Sequence, residues 1–163
     1  MNKIRDKALS SRYNADNTIM KYPIGIQNFE KIRDAGFVYV DKTALIYDLV
    51  TEGNIYFLSR PRRFGKSLLV STLKAYFQGK KELFKGLAID SLEKNWNVYP
   101  VFHLDFNGTD FTKAGTLEAK IEDAVAAWEE EYGKNSIHTT IGDRFRMVLK
   151  RAHAKYGRRA VVL

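Results

Sequence analysis

Three consecutive residues, Gly65, Lys66 and Ser67, are of the types that bind phosphate and a divalent cation. The preceding residues 55–58 are apolar and predict a buried parallel strand, whereas apolar residues at helical spacing predict a helix over 66–77. In such a strand, loop and helix, backbone N–H groups surround the phosphates, the lysine reaches the β and γ oxygens, and the hydroxyl ligates Mg²⁺. The segment therefore predicts a nucleotide site.

The pattern G-x-x-x-x-G-K-[ST] has one departure, because Arg60 stands where the first glycine is expected. The fixed φ of Pro61 can shape the turn that this glycine usually relieves. The Gly-Lys-Ser triplet alone would also fit an exposed cationic turn, but the predicted strand and helix around it favour phosphate binding. We predict no catalytic residue in this segment. The Ser67 hydroxyl is predicted to ligate Mg²⁺. Seven residues are predicted to bind ATP: Arg62, Arg63, Phe64, Gly65, Lys66, Ser67 and Leu68.

Residues 60–69, Arg-Pro-Arg-Arg-Phe-Gly-Lys-Ser-Leu-Leu, resemble the signature of the bacterial AAA-ATPase-like family. Segments 22–27, 37–43, 83–87 and 99–106 are similar to that family in order and spacing, so the resemblance covers residues 21–163. It implies a P-loop ATPase, a class that often carries a PD-(D/E)xK nuclease-like domain further along the chain. No such domain is found in these 163 residues.

The fold class predicted from alternating strands and helices is α/β, a P-loop NTPase-like layered fold with a mainly parallel sheet. We expect residues 1–20 to form a flexible N-terminal arm and residues 21–163 to form the domain. Strands are predicted at 37–40, 99–106 and 161–163, beside the one at 55–58. Helices are predicted at 29–33, 42–50 and 116–132, with a last one that carries its apolar stripe from Phe145 to Tyr156.

Two aspartates have competing interpretations. Asp41 either belongs to an element near the nucleotide or caps the helix that follows it, and the cap explains it more simply. Asp105 ends an apolar strand, as a Mg²⁺-binding acid of the Walker B type does. The family resemblance implies that the residue equivalent to Asp105 lies on the strand before the Walker B strand, so we expect a structural or supporting role.

Composition limits the class of protein. The 163 residues are 45% hydrophobic and lack cysteine, which suits one globular domain in a reducing compartment. No apolar run approaches the roughly 18 residues of a membrane span, and the start lacks the apolar core of a signal peptide, so we predict a cytoplasmic protein without membrane contact. The net charge of +8 favours anionic partners, either nucleotides or nucleic acid bound without sequence specificity.

A second basic feature lies on the last predicted helix. Its polar face could track phosphates, but a solvated face is the simpler interpretation. The three histidines lack the spacing of a metal site, and we assign them no chemistry. Thr116 is predicted to cap the helix at 116–132, and Trp128 to lie in the core. The basic face consists of Arg144, Arg146, Lys150, Arg151 and Lys155.

The last residues, 161–163, resemble the start of the family's Walker B strand. That resemblance implies a P-loop domain that is incomplete at its C-terminus, binds ATP at most and is not hydrolytically competent, and whose longer parent is an ATPase. It also implies that residues 54–58 pair with 37–40, remain exposed, or mediate self-association. Two other hypotheses stay open: a basic nucleic-acid-binding module without nucleotide hydrolysis, and a fragment without activity of its own.

Overall fold

A computed structural model describes residues 20–53, 55–134, 137 and 139–163. The arm predicted for residues 1–20 lies outside this part, apart from Met20. The chain divides into two compact units, the first comprising the described residues of Met1–Ala75 with Lys81–Lys94, and the second Tyr76–Lys80 with Asn95–Leu163. In the described part of the chain, no helix combines the length and the apolar character needed to cross a membrane.

The first unit is helical. Its core consists of apolar residues with little or no exposed surface, including Phe29, Ile32, Ile46, Phe84 and Ile89. The helices are α1 (Phe29–Asp34), α2 (Thr43–Glu52), α3 (Lys66–Phe77), a short 3-10 helix (Lys81–Phe84) and α4 (Ala88–Leu92). The last two residues of α3 belong to the second unit.

Helix α1 begins where the side chain of Asn28 accepts a hydrogen bond from the N–H of Lys31 at 2.9 Å. Its Phe29 ring lies 4.8 Å from that of Phe84, centroid to centroid. The guanidinium of Arg33 donates to the carbonyl oxygens of Leu83 and Lys85, each at 2.7 Å. These contacts join α1 to the 3-10 helix, which lies some 50 residues further along the chain.

The second unit contains two strands and two long helices: β1 (Val101–Phe102), α5 (Thr116–Tyr132), α6 (Ile141–Tyr156) and β2 (Val161–Val162). The bounds predicted for α5 are confirmed, but its predicted cap is wrong. Gly115, at φ 79°, precedes the helix, and the Thr116 hydroxyl donates to the Lys113 carbonyl instead of accepting from the first turn. Helix α6 is capped by Thr140, whose hydroxyl accepts from the N–H of Asp143.

The two strands pair in parallel, with Val101 opposite Val161 and Phe102 opposite Val162. The N–H of Leu163 donates to the Phe102 carbonyl at 2.8 Å, and the N–H of Leu104 donates to the Leu163 carbonyl at 2.9 Å. The strand predicted at 161–163 is therefore confirmed as a parallel strand, whereas the one predicted over 99–106 is shorter than expected.

Phe102 is fully buried at the centre of the second unit's core, together with Val148 and Ala152. The ring of Trp128 lies 5.0 Å from that of Phe102 and 5.5 Å from that of Phe145, so the prediction that Trp128 belongs to the core is confirmed. Aromatic residues of α5 and α6 thus cover β1.

Two predicted strands are wrong. Residues 55–58 form no strand, and their side chains are exposed. Residues 37–40 contribute only an isolated parallel bridge between Phe37 and Lys21. An apolar run forms a parallel strand only where neighbouring strands accept its hydrogen bonds, and within the described residues none lies beside 55–58. The architecture is helix-rich with a small parallel sheet, which is compatible with the α/β class.

Candidate nucleotide-binding loop

The candidate loop, residues 60–67, comprises the turn before α3 and the first two residues of that helix. Arg63 and Gly65 have left-handed φ values of 67° and 76°, which let the backbone turn tightly before the helix. The first hydrogen bond of the helix runs from the N–H of Leu69 to the carbonyl of Gly65, at 2.9 Å. The N–H groups of Lys66, Ser67 and Leu68 come before it, and such groups are the anion-binding donors of a helix N-terminus.

The Lys66 ammonium folds back across the loop. It donates to the carbonyl oxygen of Pro61 at 2.9 Å, and also to that of Arg60. Arg60 occupies the position of the missing first glycine, and its backbone carbonyl accepts a hydrogen bond from the lysine. The side chain of Lys66, the lysine of the Gly-Lys-Ser pattern, is thus hydrogen-bonded to the backbone at the start of the loop.

The loop is cationic. Arg60, Arg62, Arg63 and Phe64 are all exposed. No acidic residue occurs in the sequence between Glu52 and Glu82. Among the described residues, no ion pair engages these arginines. Because like charges gather here without counter-ions, the loop has a positive potential that attracts phosphate.

Helix α3 is held in the first unit by polar contacts behind the loop. The Ser71 hydroxyl accepts a hydrogen bond from the N–H of Phe29 at 2.8 Å. The buried Thr72 contacts the hydroxyl of Tyr39, and burial raises the pKa of that phenol despite the hydrogen bond with Thr72. The sequence alone did not identify Ser71 or Thr72, because neither stands out from the helical pattern.

Asp41 and Thr43 join the starts of two helices. One carboxylate oxygen of Asp41 accepts from the N–H and hydroxyl of Thr43, at 2.8 and 2.7 Å, and the other accepts from the N–H of Ala88 at 2.7 Å. The Thr43 hydroxyl accepts from the N–H of Ile89 at 3.1 Å. Burial acts to raise the pKa of Asp41, but the hydrogen bonds from Thr43 and Ala88 outweigh it, and the net pKa is lowered. Both carboxylate oxygens have structural partners, so Asp41 supports the start of α2, but the N-cap residue is Lys42 and not Asp41 as predicted.

Asp105 lies in the second unit, just after β1. Its carboxylate accepts a hydrogen bond from the N–H of Asn107 at 2.9 Å and so stabilises a turn. In the part of the chain that the structure describes, no three histidine or acidic side chains gather into a metal-binding group. His138 lies outside that part, and the ring of His153 is hydrogen-bonded to the Arg158 carbonyl.

The basic face predicted on α6 is not a free row of cations. Arg144 is bonded to Glu122 and Glu129, and its side chain is only 12% exposed, so the prediction of a solvated residue is wrong there. Arg146 pairs with Asp143, and Arg151 donates to the carbonyl of Gly133. These internal partners reduce the charge available to an external phosphate.

The family model described as predicted AAA-ATPase matches residues 23–163. The chain is also similar to an uncharacterized protein in the vnfD 5'region of Azotobacter chroococcum mcd 1, at 41% identity over 144 residues. That match covers 88% of this chain but only 28% of the relative. No solved structure gives a significant match. On the family match, which includes the candidate loop, the chain belongs to the predicted AAA-ATPase family.

Proposed function

We propose that this chain binds a nucleoside triphosphate, with ATP as the first candidate, through the loop at 60–67 and the first turn of α3. The observation that carries the proposal is the position of Gly65, Lys66 and Ser67 at the start of a 12-residue helix. Membership of a family described as predicted AAA-ATPase supports it. The P-loop NTPase architecture is part of the same proposal.

Each residue type has a distinct role in the proposed complex. The N–H groups of Lys66, Ser67 and Leu68 donate to phosphate oxygens, and the helix dipole favours their negative charge. The Lys66 ammonium leaves the carbonyls of Arg60 and Pro61 and neutralises the β and γ oxygens. Arg62 and Arg63 are exposed and free of ion pairs among the described residues. They can therefore contact the phosphates without breaking an existing ion pair.

The donor set fits Mg²⁺ that arrives with the nucleotide. Mg²⁺ usually keeps several waters and takes one or two protein ligands beside the phosphate oxygens. The exposed Ser67 hydroxyl, next to Lys66, provides one such oxygen. When bound, the ion would neutralise phosphate charge; the chain's own residues bind and orient the phosphates.

Calorimetric titration of the chain with ATP in the presence of Mg²⁺ tests the proposal. We expect binding that Lys66→Ala weakens by at least about tenfold, because the charge-assisted bonds to phosphate are lost. Lys85→Ala is the matched control, since Lys85 is an exposed lysine of the same unit outside the loop. Absence of heat with ATP, GTP and their diphosphates would show the proposal to be wrong.

The chain spans 28% of the relative's length, so the activity of a longer protein is a separate matter. We propose that such a protein hydrolyses the nucleotide bound by this loop. Steady-state phosphate release by the longer protein, lost on substitution of the lysine equivalent to Lys66, is the expected result.

A further inference from the structure

Two adjacent residues of α3, Ser71 and Thr72, direct hydroxyl groups towards the rest of the first unit. Thr72 is fully buried. A buried polar side chain costs free energy unless it is hydrogen-bonded, and serine and threonine favour a helix interior less than leucine or alanine do. Packing alone would be served by apolar residues, so the polar residues at these positions indicate that the direction of their hydrogen bonds matters.

Each of the two hydroxyls has a partner far away in the sequence. The Ser71 hydroxyl accepts from the N–H of Phe29 at 2.8 Å, and that N–H opens α1, where it has no acceptor within its own helix. The Thr72 hydroxyl is hydrogen-bonded to the phenol of Tyr39. The rings of Phe29 and Tyr39 lie 5.1 Å apart, edge to face. The second turn of α3 is thus bonded at two points to the chain that precedes the candidate loop.

The Thr72 hydroxyl also reaches the first turn of α3. It donates to the carbonyl oxygen of Leu68 at 2.8 Å. A hydroxyl has one proton to donate, so the Tyr39 phenol is the donor in its bond with Thr72. Burial raises the pKa of Tyr39, which keeps this phenol protonated. A directed chain of hydrogen bonds therefore runs from Tyr39 through Thr72 to Leu68, whose N–H is one of the proposed phosphate donors.

We propose that Thr72 is a positioning residue of the nucleotide site and that Tyr39 acts through it. Hydrogen bonds weaken steeply when the donor is misaligned, so the rotation and tilt of α3 decide how well the N–H groups of its first turn meet phosphate oxygens. Directed bonds from a buried hydroxyl fix that setting more sharply than apolar packing does. The inference rests on the proposed function, because it concerns the geometry of the same site.

Calorimetric titration with ATP and Mg²⁺ tests the inference in two variants of Thr72, at a temperature at which denaturation curves show both to be folded. Thr72→Val replaces the hydroxyl with a methyl group and should weaken ATP binding by about fivefold or more, which corresponds to the loss of about one hydrogen bond. Thr72→Ser keeps the hydroxyl and should bind ATP within about twofold of wild type.

Ile46→Val is the matched control for a loss of stability. Ile46, in α2, is a buried residue of the same unit, and removing one methylene there costs about as much free energy as losing one hydrogen bond. We expect this variant to bind ATP as wild type does. Tyr39→Phe should weaken ATP binding on its own, but added to Thr72→Val it should cause no further loss, because Tyr39 acts through Thr72.

Hydrogen exchange of the nucleotide-free chain gives a second measurement, which does not depend on ATP. The N–H of Leu69 forms the first hydrogen bond of α3. We expect it to exchange about fivefold faster in Thr72→Val than in wild type, and to exchange at the wild-type rate in Thr72→Ser. An exchange rate at Leu69 that is equally raised in Ile46→Val would show a general loss of stability and overturn the inference.

The possible failures are distinguishable. If Lys66→Ala weakens ATP binding but Thr72→Val does not, the inference is wrong and the proposed function stands. If Thr72→Val and Ile46→Val weaken ATP binding equally, Thr72 contributes stability alone. If wild type binds no nucleotide, both the proposed function and the inference are wrong.

Discussion

Arg63 has a backbone conformation that few side chains adopt, with a φ of 67° at the turn before α3. A left-handed conformation costs a non-glycine residue about 1–2 kcal/mol. Arg63 adopts it in the turn that leads into the helix. At the residue scale, the contribution of Arg63 to the site is therefore conformational as well as electrostatic.

Substitutions at this position separate the two contributions. Arg63→Gly should leave the free energy of unfolding within about 0.5 kcal/mol of wild type, because relief of strain offsets the greater freedom of the unfolded chain. Arg63→Val should lower it by about 1 kcal/mol or more, since a β-branched residue resists positive φ. Urea denaturation measures both, with Arg62→Val as the control in the same loop. An Arg63→Val variant with the same free energy of unfolding as wild type would show that the backbone of Arg63 is not strained.

Glu129 is a buried carboxylate, with 5% of its side chain exposed, and Arg144 donates to both of its oxygens. Removing the Glu129 side chain takes away two hydrogen bonds of Arg144, which is only 12% exposed and keeps its pairing with Glu122. Glu129→Ala should therefore lower the free energy of unfolding by about 1.5–3 kcal/mol, the range for lost hydrogen bonds to a charged group. Arg146→Ala breaks a pair in which the arginine is 74% exposed, and should cost less than about 1 kcal/mol. Similar losses for the two variants would show that burial does not strengthen the Glu129 pair.

The same pair makes stability depend on pH. Hydrogen bonds from Arg144 lower the pKa of Glu129 below its ordinary value of 4.5, although burial opposes them. The unfolded chain thus takes up the proton more readily, and the stabilisation is present above that ordinary value and lost as pH falls through the folded pKa. The difference in unfolding free energy between wild type and Glu129→Gln should shrink from about pH 6 to about pH 3. If the difference in unfolding free energy stays constant over this pH range, the pKa of Glu129 is not lowered in the folded protein.

At the scale of elements, the two long helices of the second unit begin differently. Thr140 caps α6 through its hydroxyl, which accepts from the N–H of Asp143 at 3.2 Å. Thr116 follows a left-handed glycine and caps nothing. Thr140→Ala should therefore lower the free energy of unfolding by about 1 kcal/mol, and Thr116→Ala by less than about 0.5 kcal/mol. Chemical denaturation of the two variants checks this, and equal losses would contradict it.

The helices were predictable from sequence because their signals are local. Apolar spacing and terminal glycines fix α3, α5 and α6 within a few residues. The segment 55–58 has an equally clear apolar pattern, but a strand requires partners that local sequence does not reveal. The pairing of Glu129 with Arg144 was also hidden, because it depends on which faces α5 and α6 turn toward each other.

At the scale of the whole molecule, the coarse class and the family were predictable, and the candidate loop was found from the spacing of three residues. The contacts that hold the first unit together were not, because they join residues far apart in sequence. Phe29 and Ser71 are 42 residues apart, and Thr43 and Ile89 are 46 apart. A single sequence carries no signal for such pairs.

Those distant contacts join the chain before the candidate loop to the chain after it. The N–H groups of Ala88 and Ile89 are bonded to Asp41 and Thr43, so the polypeptide on either side of the loop is fastened independently of it. A backbone cut within the loop should therefore not release either piece. Brief trypsin treatment should cleave after Arg62 or Arg63, while the two fragments still elute together in native buffer and separate in urea. Separation of the fragments in native buffer would show that these contacts do not hold the two segments together once the chain is cut.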